Sequence, residues 1–245
     1  MCYSRVSGVW VSRRFSISYL IFGCAILSLW AAAQEIVPIT KERNHQLTIS
    51  NDYVRVFKVE VPPKTETLYH QHDYDYLYVV IGDADITSTH LNEKPVSAKM
   101  RDGEVGFAKG GFAHKALNNG DEPFDNVTVE LLKGAGRVIC GTKETRPCAG
   151  KGKNPGTTVL LLDTEKVSVR SFGVAANTSV GAAELGTGPA VVVPTGDMDV
   201  EVHKSGAVSY GVILLGEPRW FGAGETRTIK NSWLKDARLI LIDFK

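Results

Sequence analysis

Beyond residue 34, apolar residues recur in short runs and never sustain helical spacing. The runs Tyr53 to Val61, Tyr76 to Ile81, Val127 to Leu132, Val159 to Leu162, Ala190 to Val193, Val208 to Leu215 and Arg238 to Phe244 are rich in Val, Ile, Leu and Tyr, and Gly, Pro, Asn and Asp separate them. Short strands with regular turn signals predict an all-β chain built as an antiparallel sandwich or barrel.

The first 33 residues follow another pattern. Phe15 to Trp30 is almost wholly apolar or hydroxylic, Arg13 and Arg14 precede it, and Ala31-Ala32-Ala33 follows. A positive start, an apolar middle and a small-residue end form the plan of a secretory signal peptide. The apolar core is short for a membrane span, and no basic stop-transfer cluster follows it. We expect cleavage after Ala33, a mature chain starting at Gln34, and export to a periplasm or out of the cell with no membrane attachment left. An uncleaved N-terminal anchor is the alternative.

A long-period repeat underlies the mature chain. Gly82-Asp83-Ala84-Asp85-Ile86 returns 114 residues later as Gly196-Asp197-Met198-Asp199-Val200. Gly103, Gly111 and Asn118 return 113 residues later as Gly216, Gly224 and Asn231, and Val127 to Leu132 resembles Leu239 to Phe244. Two copies of one β-domain are predicted, over 34–133 and 158–245. Between them, 134–157 is rich in Gly and Lys and reads as a solvated linker.

Composition narrows the functional classes. With 43% hydrophobic and 22% charged residues the chain is neither disordered, collagen-like nor a multi-span membrane protein. Its 28 basic residues against 27 acidic ones offer no basic excess for nucleic acid. Loss of the leader removes Arg5, Arg13 and Arg14 and no acid, leaving 25 against 27. Cys2 and Cys24 leave with it. Cys140 and Cys148 remain, either as a disulfide closing a loop in an exported chain or as free thiols.

The chemistry concentrates in histidines. His70 and His72 stand two apart, which on a strand places both imidazoles on one face, where they can grip one ion. Asp75 follows within reach of a turn, and His114 comes later in Gly111-Phe112-Ala113-His114. His45, His90 and His203 read as surface residues. Tyr69, Tyr74, Tyr76 and Tyr78 crowd the His segment, and alternate ones are expected to face inward with apolar neighbours such as Leu77, Val79, Phe107 and Phe112.

These spacings resemble the cupin superfamily. Its first motif is His-x-His, a Glu three or four residues on, and a later Gly; here stand His70, His72, Asp75 and Gly82. Its second motif is met by Gly103, Gly111, His114 and Asn118, with Lys109 in place of Pro. The resemblance implies two cupin-type (double-stranded β-helix or jelly-roll) barrels in tandem, with His70, His72, Asp75 and His114 as metal ligands. Asp75 is shorter and closer to His72 than the usual Glu, so it serves as fourth ligand, reaches metal through water, or accepts a proton; Asp73 or Tyr76 could substitute. Such donors suit one divalent ion of Fe, Mn, Zn, Ni or Cu, with coordination positions left open. In the second repeat the equivalent positions are Glu184, Gly186 and Arg227, so only the first keeps a site. Arg227 stabilises that barrel, pairs with an acid such as Glu184, or receives an anionic ligand in the old pocket. The implied activity is dioxygenation, decarboxylation or isomerisation of a small oxygenated molecule. The rival is a non-catalytic small-molecule binding or structural protein. The resemblance also allows a homo-oligomer paired through exposed strands.

Overall fold

β-Branched and aromatic residues dominate the runs that become strands, because they pack well on a pleated surface. The computed structural model describes residues 35–142, 145–148 and 157–245. The leader and its cleavage point lie outside the described residues.

Four sheets organise these strands. The first runs β1 (Ile36–Pro38), β4 (Tyr69–His72), β9 (Phe112–Asn118), β6 (Ala84–His90) and β7 (Val96–Met100). The second runs β2 (His45–Ser50), β3 (Val54–Val61), β10 (Phe124–Leu131), β5 (Tyr76–Ile81) and β8 (Val105–Ala108). The third runs β11 (Val138–Cys140), β12 (Thr158–Thr164), β13 (Val167–Val174), β20 (Ala237–Phe244), β15 (Ala190–Pro194) and β18 (Arg219–Phe221). The fourth runs β14 (Ser179–Val180), β19 (Thr226–Lys230), β16 (Met198–Lys204) and β17 (Ala207–Ile213). Setting β1 and β11 aside, the second and third sheets have the same strand order, as do the first and fourth. The chain is thus two jelly-roll barrels in tandem. A four-residue helix, α1 (Ala182–Leu185), interrupts the second barrel. No helix among the described residues is long and apolar enough to cross a membrane.

The repeat is visible atom by atom. The buried Asn118 amide donates to the carbonyls of Val61 (3.0 Å) and Glu122 (2.8 Å). Asn231 donates to Val174 (2.9 Å) and Lys235 (2.7 Å), each partner 113 residues further on. Gly103 and Gly216 both turn with positive φ, 70° and 68°, a conformation that glycine adopts without strain. Each then donates its N–H to the strand behind it, at Val80 and Pro194. The ladders also correct one alignment. Val54 pairs with Leu131 and Val167 with Phe244, so Leu131 matches Phe244 and the last strands align one residue away from the sequence-based match.

Side-chain alternation divides the core. On β3, Phe57, Val59 and Val61 point into the first barrel, while Val54 and Val56 point out of it. The outward set meets Val167, Val169, Val191, Val193, Ile240 and Ile242 of the second barrel in one apolar cluster. Tyr53, Trp220 and Phe244 close this seam with ring centroids 5.4 to 5.6 Å apart. Each such aliphatic chain removed from water contributes about 1.5–3 kcal/mol, so the barrels hold each other through the faces of two sheets. Leu77 and Val79 lie in this seam, not in the site. The expectation that they line the site fails because the second barrel covers the outer face of β5.

The segment expected as a solvated linker is partly structured. Its strand β11 extends the third sheet, and Cys140 and Cys148 form a disulfide with Cα atoms 5.0 Å apart.

Candidate metal centre

Strand register assembles the histidines. His70 and His72 share the inner face of β4. In the antiparallel ladder with β9, His114 stands directly opposite His70. On the other flank of β9, His90 of β6 stands opposite His114. Directly paired residues bring their Cβ atoms to about 4.5–5.5 Å, so the ladder alone makes neighbours of residues far apart in sequence.

The ring nitrogens then converge. One potential ligand atom from each of His70, His72 and His114 lies within 4.8 Å of the others. His72 Nε2 and His114 Nε2 are 3.2 Å apart. Two nitrogens bound at about 2.0–2.1 Å to one ion stand roughly 2.8–3.4 Å apart across octahedral to tetrahedral angles. Second partners orient the rings. His70 Nδ1 lies 3.0 Å from the Leu68 carbonyl and His114 Nδ1 lies 3.1 Å from Ser88 Oγ. In His70 the carbonyl requires an N–H at Nδ1, which leaves Nε2 as a lone-pair donor, the usual support of a metal-ligating imidazole. His72 Nδ1 is buried without a partner. Three neutral imidazoles, two of them facing at Nε2, fit a divalent cation.

Electrostatics keeps the rings neutral. Burial, joined by the neighbouring imidazoles, holds His70 down to about 4 and His72 down to about 2, and burial holds His114 well below the usual histidine range. The unfolded chain protonates these groups near pH 6.5, and the folded chain refuses the protons until far lower. Metal-free protein is therefore expected to lose stability as pH falls from 6.5 toward 4, by roughly 1 kcal/mol per histidine at pH 5.5. Denaturant midpoints at pH 7.5, 6.5, 5.5 and 4.5 measure this. A flat profile from pH 7 to 5 would show that the rings are protonated in the fold.

Asp75 does not join the group. Its Oδ2 accepts from Lys109 Nζ (3.0 Å) and the Ala135 N–H (3.0 Å), and its Oδ1 accepts from the Gly110 N–H (3.2 Å). Partial burial pushes its pKa up, but the Ala135 N–H, the Lys109 ammonium and the Gly110 N–H outweigh that and hold it below the usual range. It clasps the turn after β4 to the turn before β9 and to the segment leaving the barrel. The placement departs from the expected fourth ligand because the acid precedes β5 and turns away from the inner face. Tyr76 comes closer, its ring stacked on His72 with centroids 4.0 Å apart. Lys109 is tied to Asp75 and Gly136 and is not a free steering charge.

Above the histidines opens a cavity of ≈780 Å³. Tyr76, Tyr78, Phe107, Phe112, Asn126 and Thr128 line it, and Val138, Thr142 and Thr145 of the disulfide-bonded segment cover part of its mouth. Two histidines expected at the surface line this cavity, His45 with its side chain buried and His90 with its side chain still 42% exposed. His90 lines the cavity with its ring stacked on Phe112 at 4.4 Å. His45 is buried, with its ring centroid 4.6 Å from that of His70. Glu42, three residues before His45, was a usable sequence signal, since a carboxylate at that spacing can orient an imidazole. By contrast His203 is exposed and bonds to Glu201 on its own strand.

The second barrel has no counterpart. Where His70 and His72 would fall, the chain forms α1 and the turn after it, and Leu185 plugs the interior. Arg227, in the place of His114, is fully buried and donates to the carbonyls of Leu185 (2.8 Å) and Gly188 (3.0 Å). Glu184 instead accepts from the Gly181 N–H. The stabilising alternative for Arg227 therefore describes its surroundings.

No family model matches the chain, and no curated protein matches it significantly. Several solved structures share its fold. One is AerE from Microcystis aeruginosa, at 12% identity over 83% of this chain and 98% of that one, with a TM-score of 0.55. Another is procruciferin, an 11S globulin from Brassica napus, at 12% identity over 79% and 78%, with a TM-score of 0.56. A third is a variant of oxalate decarboxylase from Bacillus subtilis, at 10% identity over 79% and 69%, with a TM-score of 0.52. At such identities the likeness speaks for the fold alone.

Proposed function

We propose that this chain, whose fold is that of the two-barrel cupins, is an exported protein that binds one divalent transition metal in its first barrel and acts there on a small oxygenated molecule. The convergence of His70, His72 and His114 beneath the cavity carries this reading. A bound ion would supply a Lewis-acid centre with open coordination positions. The chain's own residues do the rest. The Leu68 carbonyl and Ser88 aim the rings of His70 and His114. Tyr76 and Phe112 wall the site, and Asn126 and Thr128 are among the polar residues that line the cavity. Dioxygenation, decarboxylation and isomerisation are the reactions that the motifs imply. A binding role without turnover is the second reading, favoured by the engagement of Asp75 away from the three imidazoles.

The test uses protein expressed with its own leader and recovered after export. Elemental analysis should find near one equivalent of Fe, Mn, Zn, Ni or Cu, and mass spectrometry should find Gln34 as the first residue. Oxygen uptake and CO2 release with small carboxylic acids then separate enzyme from binding protein. Protein that contains none of these metals, and gains no thermal stability when offered each of them, would overturn the metal assignment.

A further inference from the structure

We propose that His45 recognises a hydrogen-bond donor on the molecule held at the metal centre, so that the cavity selects small hydroxy acids over their O-alkylated counterparts. This rests on the metal-binding reading above and names the substrate class of that same site.

The argument begins with Glu42. Its side chain is fully buried and that of His45 nearly so, 5% exposed. Glu42 Oε2 accepts the His45 Nδ1–H at 2.6 Å and the Asn44 N–H at 2.7 Å, and Oε1 accepts the Leu68 N–H at 3.2 Å. Burial pushes this carboxyl up, but the bonds from His45, Asn44 and Leu68 prevail and hold it below its usual range. An ionised acceptor at Nδ1 settles the tautomer and leaves a lone pair on Nε2.

His45 Nε2 has no protein hydrogen-bond partner among the described residues, and the ring lines the cavity beside His70. The pair is therefore more than a clasp between the first turn and Leu68. A clasp needs only the carboxylate and its N–H donors. Here it also leaves Nε2 as the free nitrogen of a ring that lines the chamber, as the apolar Val59, Val61 and Phe124 do. An acceptor in apolar surroundings rewards a ligand that brings an O–H and penalises one that leaves it unmatched. His45 lies outside the group of converging ligand atoms, so it addresses a molecule bound to the ion and not the ion itself.

The experiment uses protein loaded with one equivalent of Co(II), whose visible absorption reports what binds. Glycolate carries a hydroxyl donor beside its carboxylate; methoxyacetate keeps the same oxygens without the donor. Native protein should prefer glycolate about tenfold, the worth of one good hydrogen bond. In His45→Phe the preference should fall below about twofold with Co(II) still near one equivalent. Glu42→Gln, which loosens control of the tautomer, should fall between the two and answers the same question if His45→Phe does not fold. An unchanged preference in His45→Phe, no preference in native protein, or loss of Co(II) from His45→Phe would each overturn the inference. Native protein that takes up no Co(II) would overturn the metal reading as well, which keeps the two failures apart.

Discussion

Protein carrying His70→Ala together with His72→Ala is expected to hold less than about a tenth of the native metal, because two of the three converging ligand atoms are lost. Both changes remove donors from one face of β4, leaving His114 as the last of the three converging imidazoles. Asp75 does not stand ready to replace them, since both its oxygens are taken by Lys109, Gly110 and Ala135. The fold should survive. The strand keeps its ladder, and the rings removed are polar groups whose burial is itself costly. The increment of thermal stability that metal confers on native protein should vanish in the variant. Asp75→Asn supplies the contrast. It should retain near-native metal while weakening the clasp around the barrel mouth by about 1–3 kcal/mol. A double-alanine variant with full metal, or an Asp75→Asn variant without any, would reverse the ligand assignment.

Arg227→Ala is expected to destabilise the chain by roughly 3–5 kcal/mol. The guanidinium is wholly buried, it satisfies the Leu185 and Gly188 carbonyls, and Asp243 lies 3.8 Å away. It also lies over the Phe221 ring at 5.1 Å. Truncation leaves two carbonyls without donors and a void between Leu185 and Phe221, while Asp243 keeps Arg170 as partner. Arg227→Met fills the void without restoring the donors, so it should cost less, about 1–3 kcal/mol. Guanidinium-chloride unfolding of the two variants measures both. The apolar seam joins the barrels, so one transition is expected, and native-state metal content should not change. An alanine variant within 1 kcal/mol of native would mean that the guanidinium is not what holds this barrel closed.

These two sites differ in how they could be read beforehand. The spacing of His70, His72, His114 and Asn118 reflects turn lengths and strand alternation, which are local properties written within about fifty residues. His45 was legible only in its spacing from Glu42, because nothing in its own strand shows that His70 lies beside it; the parallel pairing of β1 with β4 brings that N-terminal segment in. Asp75 was misplaced for a related reason. Counting residues measures distance along the chain, but three donors from separate turns decide where its carboxylate points.

The sequence by itself determined the all-β character, the two-fold repeat with its glycine and asparagine landmarks, and the choice of the first barrel as the one that keeps its histidines. Those features follow from local conformational preference and from residue types that only certain turns or ligands require. The tertiary structure alone decided which face of β5 the cavity receives, that a buried arginine fills the second barrel, and that His45, held by Glu42, lies beside the candidate metal centre. Each of these depends on what packs against the other side of a strand, and burial is a property of the assembled sheets, not of any segment taken alone.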